Sequence, residues 1–234
     1  MKLLSTIKEV SKVLLILLGM TGLTEPRHSA ASPPADGVTR LESELLHLRP
    51  DLSDLLQWQR DTKQWTPYRR SRASLLIVNL WARSCPPCLQ EFQVFKQLLR
   101  QLPRTEVEMI FVAAAEDTSQ QEVEQFWSHP LIELPANTRC GGIPVSSRSC
   151  LVELPESAPV FAPSTRFVHS LRSFPILPRP LTLLMDGQSS VRHIFAGSIE
   201  SRQTELKLAI ERLRQALQRE SSFRSQHLDR KRTP

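Results

Sequence analysis

The sequence predicts an α/β fold in which helices cover a sheet with parallel neighbouring strands. Two apolar runs indicate buried strands, one from Leu75 to Trp81 and one from Glu106 to Ala115, because a strand buried on both faces is apolar throughout. A helical pattern follows each run, and this strand–helix–strand–helix order is typical of parallel sheets. A chain of 234 residues is long enough for one core with additional segments.

Residues 1–31 are typical of a targeting segment. Three lysines precede an apolar run from Val13 to Leu23, and the small residues Ser29, Ala30 and Ala31 follow it. The run is shorter than the ~20 residues that a membrane span needs, which favours a signal peptide over a membrane anchor. We therefore expect a protein of the periplasm or cell envelope, where four cysteines can form disulfides.

Residues 32–64 are predicted to form a linker and an N-terminal helical extension. The linker is rich in proline. Leucines recur at helical spacing after it, and Pro50 interrupts them. This pattern predicts two short helices between Val38 and Gln59.

Cys85 and Cys88 lie where the first buried strand turns into a helix. Apolar residues at three- and four-residue steps from Leu89 to Leu102 predict the helix, and Pro86 and Pro87 suit its first turn. The unpaired N–H groups and partial positive charge of a helix N-terminus favour a thiolate over a thiol. We therefore expect Cys85 to be the exposed, attacking sulfur and Cys88 the inward-facing, resolving sulfur.

Residues 130–178 are predicted to be a proline-rich insertion, with eight prolines in about fifty residues. They include Cys140 and Cys150, and a disulfide between these two would close a short loop worth ~2–3 kcal/mol. A structural disulfide is favoured over a second redox pair. Zinc would need four well-spaced ligands, which the scattered histidines do not supply.

The remainder of the chain is predicted to be a hairpin, a helix and a tail. The hairpin spans Pro180–Gly197, and the closing helix spans Ser198–Leu217. Residues 218–234 are polar and basic, which predicts a disordered tail. The net charge is +6. A solvated tail is nevertheless favoured over one that binds nucleic acid or anionic lipid, because the sequence has no nucleic-acid motif or phosphate-binding glycine loop.

The stretch WARSCPPCLQEF resembles the active site of TlpA/ResA-type thioredoxin-like proteins, which are thiol–disulfide oxidoreductases of the bacterial cell envelope. The resemblance covers residues 65–217 and includes Glu91, three residues after the second cysteine. The run PLTLLMD also resembles the family, and Pro180 matches its cis-proline beside the cysteine pair. Ser84 and Gln93 depart from the family pattern, which often has Trp and Pro at these positions.

This resemblance implies a thioredoxin-like fold, with a central mixed sheet flanked by helices. It implies that Cys85, Cys88, Glu91 and Pro180 serve catalysis without a cofactor or metal. Glu91 would tune the cysteine pair or relay a proton; the alternative is an exposed residue in the first helical turns that the helix dipole stabilises. Arg179, which precedes Pro180, would bring a cation near the thiolate and favour ionised sulfur.

The expected function is disulfide exchange with exported proteins, supported by a redox partner protein, and the resemblance leans towards reduction. Membrane contact is expected only if the N-terminal segment is uncleaved. The alternative is a binding or assembly module on the same scaffold, with structural disulfides and the insertion as its docking surface. A metal carrier is disfavoured, because copper-delivery relatives typically space their cysteines by three residues and add a distant histidine.

Overall fold

The computed structural model describes residues 40–41, 43–116, 118–133, 139–140, 143–144, 149–152, 154–155, 159–163, 166–171 and 177–232. The predicted targeting segment and linker lie outside the described residues. Within the described ranges, no helix is both long enough and apolar enough to cross a membrane.

The described strands, in chain order, are β1 (Leu56–Gln59), β2 (Gln64–Pro67), β3 (Leu75–Trp81), β4 (Val107–Ala114), β5 (Leu131–Glu133), β6 (Arg139–Cys140), β7 (Ile143–Pro144), β8 (Ser149–Leu151), β9 (Pro159–Ala162), β10 (Leu181–Asp186) and β11 (Val191–Ala196). The helices are α1 (Pro86–Leu99), α2 (Gln120–Ser128), α3 (Arg166–Ser170) and α4 (Gln203–Arg232), and a 3₁₀ turn (Glu200–Arg202) precedes α4. A further helical stretch includes residues 40–41 and 43–45.

Seven strands form one mixed sheet in the order β11-β10-β3-β4-β9-β1-β2. β3 pairs in parallel with β4 and antiparallel with β10. On its other side, β4 pairs in parallel with β9. The hairpins β1–β2 and β10–β11 lie at the two edges of the sheet. The expected α/β class, with a central mixed sheet flanked by helices, is confirmed.

The central position of β3 follows from its composition, and all seven of its residues are buried. Successive side chains of a strand point to opposite faces. Leu75, Ile77 and Trp81 accordingly join the core under α1 and α2. Leu76, Val78 and Leu80 join a second core with the N-terminal helical stretch and α3. β3 is therefore covered on both faces.

An aromatic cluster fixes α1 and α2 against the sheet. Phe92 lies 5.4 Å from Trp81 and 5.0 Å from Phe111, measured between ring centroids. Trp127 of α2 lies 5.6 Å from Trp81. Such aromatic pairs add about 0.5–1.5 kcal/mol each beyond the area that they bury. The cluster therefore holds the start of α1 at the end of β3.

The second predicted N-terminal helix is wrong, because residues 56–59 form strand β1. The Asp51 side chain accepts a hydrogen bond from the Ser53 N–H and forms a turn. Leu56 then pairs with Pro67 in β2 and with Phe161 in β9. This long-range pairing overrides the helical spacing of the leucines. The sheet thus begins inside the predicted extension, before residue 65.

Part of the predicted insertion at 130–178 belongs to the hydrophobic core of the domain. β9 joins the main sheet, and all four of its residues are buried. Phe167 and Val168 of α3 are buried as well. The strand pairs β5–β8 and β6–β7 form small sheets of their own.

The C-terminal residues also differ from the prediction of a disordered tail. α4 continues through residues 218–232 to Arg232. The sequence contains neither glycine nor proline between Gly197 and Pro234, so no helix-breaking residue stops α4 within this stretch.

Candidate active site

The two cysteines lie at the start of α1, and a disulfide joins them. Cys85 is the N-cap residue and Cys88 lies in the first turn. Cys85 is partly exposed, whereas Cys88 is completely buried. A partner can therefore reach Cys85 but not Cys88, as the expected roles of attacking and resolving sulfur require.

The first turn of α1 offers few amide donors to Cys85, because Pro86 and Pro87 have no N–H group. The Cys88 N–H lies 3.3 Å from the Cys85 Sγ and donates to it. The Cys88 N–H also donates to the Cys85 carbonyl oxygen at 3.0 Å, and the Leu89 N–H donates to the same oxygen at 3.3 Å. The helix start therefore favours a thiolate at Cys85 mainly through the Cys88 amide and the helix dipole.

Glu91 lies one helical turn after Cys88 and is completely buried. Its Oε1 accepts a hydrogen bond from the Ile199 N–H at 2.6 Å, and its Oε2 accepts one from the Asn79 side chain at 3.1 Å. The alternative interpretation of Glu91 as an exposed residue is therefore wrong. Residues three apart on a helix share a face, which places Glu91 and Cys88 on the same inward side of α1.

Burial raises the pKa of Glu91 from 4.5 to about 8, and the charge of Glu200 adds to the increase. The hydrogen bonds from Ile199 and Asn79 oppose it by favouring the ionised form. Thiol exchange needs a group that can take up and return a proton near neutral pH. Glu91 can accept or return a proton at neutral pH, as its expected relay role requires.

Two polar residues of the site, Asn79 and Thr182, are additions to the sequence-based set. They face each other across β3 and β10, and the Asn79 Nδ2 donates to the Thr182 Oγ1 at 3.1 Å. Both are almost completely buried. Asn79 could have been found as the single polar residue of an apolar strand, because a buried polar group is the informative exception.

Pro180 immediately precedes β10, which pairs with the cysteine-bearing end of β3. The Arg179–Pro180 peptide bond is cis, as expected. Leu181, the next residue, pairs with Leu80 of β3, so Pro180 lies opposite the end of that strand. The fold is thioredoxin-like. Its cis-proline and its cysteine pair lie at the same end of the central strands β3 and β10.

The loop after β4 lies at the same end of the sheet as the cysteines, because β3 and β4 are parallel. The Arg83 N–H donates to the Thr118 hydroxyl at 3.2 Å. Glu116 forms an ion pair with Arg179 at 3.6 Å, and burial lowers the pKa of Arg179. The cation expected near the thiolate thus has its own carboxylate partner.

Comparisons with solved structures find thioredoxin-like proteins of low sequence identity. A protein from Chlorobium tepidum assigned as thiol:disulfide interchange protein DsbE is 15% identical, with a TM-score of 0.48, over 71% of this chain and 97% of that chain. StoA from Bacillus subtilis is 16% identical, with a TM-score of 0.43, over 65% and 94%. A thioredoxin-like protein from Porphyromonas gingivalis is 16% identical, with a TM-score of 0.45, over 74% and 94%. No family model matches the sequence, and no curated protein matches it.

The second cysteine pair is only partly described. Cys140 belongs to β6 and Cys150 to β8, but their side chains lie outside the described residues, so their disulfide stays a prediction. In the described ranges, no group of three or more His, Cys, Asp or Glu residues could hold a metal ion.

Replacing Glu91 with Gln should stabilise the protein at neutral pH. The pKa of Glu91 is raised in the folded state, so between pH 4.5 and about 8 the folded protein holds a proton that the unfolded chain has released. The free energy of unfolding is therefore highest below pH 4.5 and falls as the pH rises to about 8. Glu91→Gln removes this loss, so we expect it to raise the free energy of unfolding at pH 7 by about 3 kcal/mol. Urea unfolding of the oxidised protein from pH 4 to pH 9 measures this difference.

The exposed carboxylate of Glu220 provides the control. Glu220→Gln should leave the pH profile unchanged. A wild-type profile parallel to that of Glu91→Gln between pH 4.5 and 8 would contradict the raised pKa of Glu91.

Proposed function

We propose that the protein is a thiol–disulfide oxidoreductase that exchanges disulfides with exported proteins through Cys85 and Cys88. One observation carries the proposal. A partly exposed cysteine at a helix N-terminus is joined to a buried cysteine that shares its helix face with a buried glutamate. A structural disulfide has no need of a nearby acid that titrates at neutral pH, whereas thiol exchange does.

In the reduced protein, the Cys85 thiolate attacks one sulfur of a substrate disulfide. The substrate S–S bond breaks while a bond forms between Cys85 and that sulfur, and the second substrate sulfur leaves as a thiolate that takes up a proton. The Cys88 N–H, which donates to the Cys85 Sγ, stabilises the attacking anion.

Cys88 then resolves the mixed disulfide. Glu91, in its ionised form, accepts the proton of the Cys88 thiol, and the resulting thiolate attacks the Cys85 sulfur. The Cys85–Cys88 disulfide forms and the substrate leaves as a second thiolate. Two electrons have passed to the substrate, and the dithiol of a redox partner protein must return them.

Direction and location rest on the sequence. The resemblance to TlpA/ResA-type proteins favours reduction of exported proteins in the periplasm or cell envelope. The N-terminal lysines and apolar run of residues 1–31 support export.

Replacing Cys88 with Ser should trap substrates as mixed disulfides on Cys85. The attacking sulfur is retained while the resolving sulfur is lost, so the first step proceeds and the second cannot. Non-reducing electrophoresis of the purified variant, mixed with a model disulfide protein, measures the adduct, and insulin reduction measures turnover of the wild type.

Cys85→Ser is the matched control and should neither trap nor turn over, because its remaining sulfur is buried. Trapping by Cys85→Ser alone would invert the two roles. If neither variant traps and the wild type does not reduce insulin, the proposed oxidoreductase activity is wrong and the binding-module alternative replaces it.

Residues 1–40 should direct export. Fused to a reporter enzyme that is active only outside the cytoplasm, they should give activity, because the apolar run follows a basic segment as in signal peptides. Replacing Leu17 and Leu18 with Arg provides the control and should abolish activity by placing charge in the apolar run. An inactive wild-type fusion that is stably produced would contradict the proposed location.

Cys140 and Cys150 should form a disulfide with each other in the exported protein. Peptide mapping without reduction should recover a crosslink between them, and the crosslink should persist in a Cys85→Ser/Cys88→Ser double variant. Crosslinks that join either residue to Cys85 or Cys88 would instead make the second pair part of an electron relay.

A further inference from the structure

The one polar side chain of β3 lies between the buried acid of α1 and the neighbouring strand. Asn79 is completely buried, as is Glu91. The Asn79 Nδ2 donates both to the Glu91 Oε2 and to the Thr182 Oγ1, each at 3.1 Å. Among the described residues, the Asn79 Oδ1 has no hydrogen-bond partner.

A buried amide oxygen without a partner is costly, at about 1–3 kcal/mol. An apolar residue at position 79 would continue the β3 pattern without this cost. The arrangement is therefore not explained by the stability of the sheet, and we look for its cause in the group that Asn79 contacts.

The observed hydrogen bonds suit the ionised form of Glu91. A carboxylate only accepts hydrogen bonds, and Glu91 receives one from the Ile199 N–H at 2.6 Å and one from Asn79. After protonation, the acid must donate an O–H. The backbone N–H of Ile199 cannot accept, so the new O–H points from Oε2 towards Asn79, where it meets another donor.

We propose that Asn79 is a positioning residue that pairs with both protonation states of Glu91 by turning its side-chain amide. In the turned state, the Asn79 Oδ1 accepts from the Glu91 acid and from the Thr182 hydroxyl, which can donate as readily as it accepts. Each arrangement leaves one end of the amide unpaired, so neither locks the side chain. The inference rests on the proposed function, because it gives the proton relay a partner in both of its states.

We assign the turning of the Asn79 amide to the protonation of Glu91 after considering the other charged groups nearby. Glu200 of the 3₁₀ turn is the charge that acts on Glu91, and the cysteine pair lies on the same helix. β3 carries no ionisable side chain. The other ionisable residues on the elements near Glu91 are Lys96 on α1, Asp186 on β10, Arg192 and His193 on β11, Arg202 in the 3₁₀ turn and, in the part of α4 before residue 215, Glu205, Lys207, Glu211, Arg212 and Arg214. Asp186 pairs with Arg192 at 3.0 Å, and Arg202 pairs with Glu205 at 2.7 Å.

Side-chain NMR of the full chain in its oxidised state tests the proposal directly. The Asn79 amide resonances should shift with pH, and their midpoint should coincide with that of the Glu91 carboxyl carbon. In Glu91→Gln, the Asn79 shift should be lost. Asn79 resonances that stay fixed while Glu91 titrates, or that still titrate in Glu91→Gln, would overturn the proposal without any substitution at Asn79.

Substitution separates this role from a structural one. Asn79→Leu removes the charge-assisted hydrogen bond, which is the stronger of the two pairings, so the Glu91 midpoint should rise by about one pH unit. Release of substrate from the mixed disulfide at pH 7 should slow about threefold to tenfold. Thr182→Val is the matched control, because it removes a bond of the same length without touching Glu91. It should lower stability and leave the midpoint unmoved. Equal midpoints in wild type and Asn79→Leu would overturn the proposal.

The proposed function fails separately from this inference. If Cys88→Ser traps no substrate while the Asn79 amide titrates with Glu91, the oxidoreductase activity is wrong and the coupled pair stands. If trapping occurs and the amide does not titrate, the activity stands and the role of Asn79 is wrong.

Discussion

The double burial of β3 is the constraint on which the rest of the structure depends. The strand is hydrogen-bonded along both edges and covered on both faces, and none of its seven residues is exposed. The chain can reach water only after Trp81, where it must turn and return as a helix that covers one face. Trp81 contacts Phe92 of that helix, which fixes the turn. The cysteines therefore lie at the end of the central strand β3 because of the packing on either side of them, and their proposed reactivity depends on that position.

The same core contains the groups that fit least well with an apolar interior. Asn79 donates to both Glu91 and Thr182, and Glu91 also accepts a hydrogen bond from the Ile199 N–H. Burial of Glu91 lowers stability at neutral pH, since its pKa is about 8. The surrounding aromatic pairs offset this cost. A strongly perturbed acid beside a cysteine pair is typical of catalytic sites, which supports the proposed function.

The sequence predicts the elements whose patterns are local. β3, α1, β4 and the β10–β11 hairpin follow from apolar runs and helical spacing, and the cysteine roles follow from the strand–helix junction. The β1–β2 hairpin was not predictable in this way, because its pairing with β9 joins residues about a hundred positions apart. The depth of Glu91 was also undecided, since its place on α1 indicates a face but not a distance from water. Asn79 is the one polar residue of the β3 run and could have been singled out, but its contact with Thr182 required the register of β10.

The electrostatics at Cys85 bear on the direction of electron transfer. A strong oxidant stabilises its reduced thiolate form, whereas a reductant does not. Two prolines remove N–H donors from the first turn, and the Cys88 amide is the donor to Cys85 Sγ at 3.3 Å. Arg179 is the cation that the sequence suggested near the thiolate, but its guanidinium pairs with Glu116, and this ion pair reduces the net positive charge that Arg179 contributes. The Cys85 thiolate is therefore stabilised only modestly. Limited stabilisation of the Cys85 thiolate is what the proposed reductase direction requires.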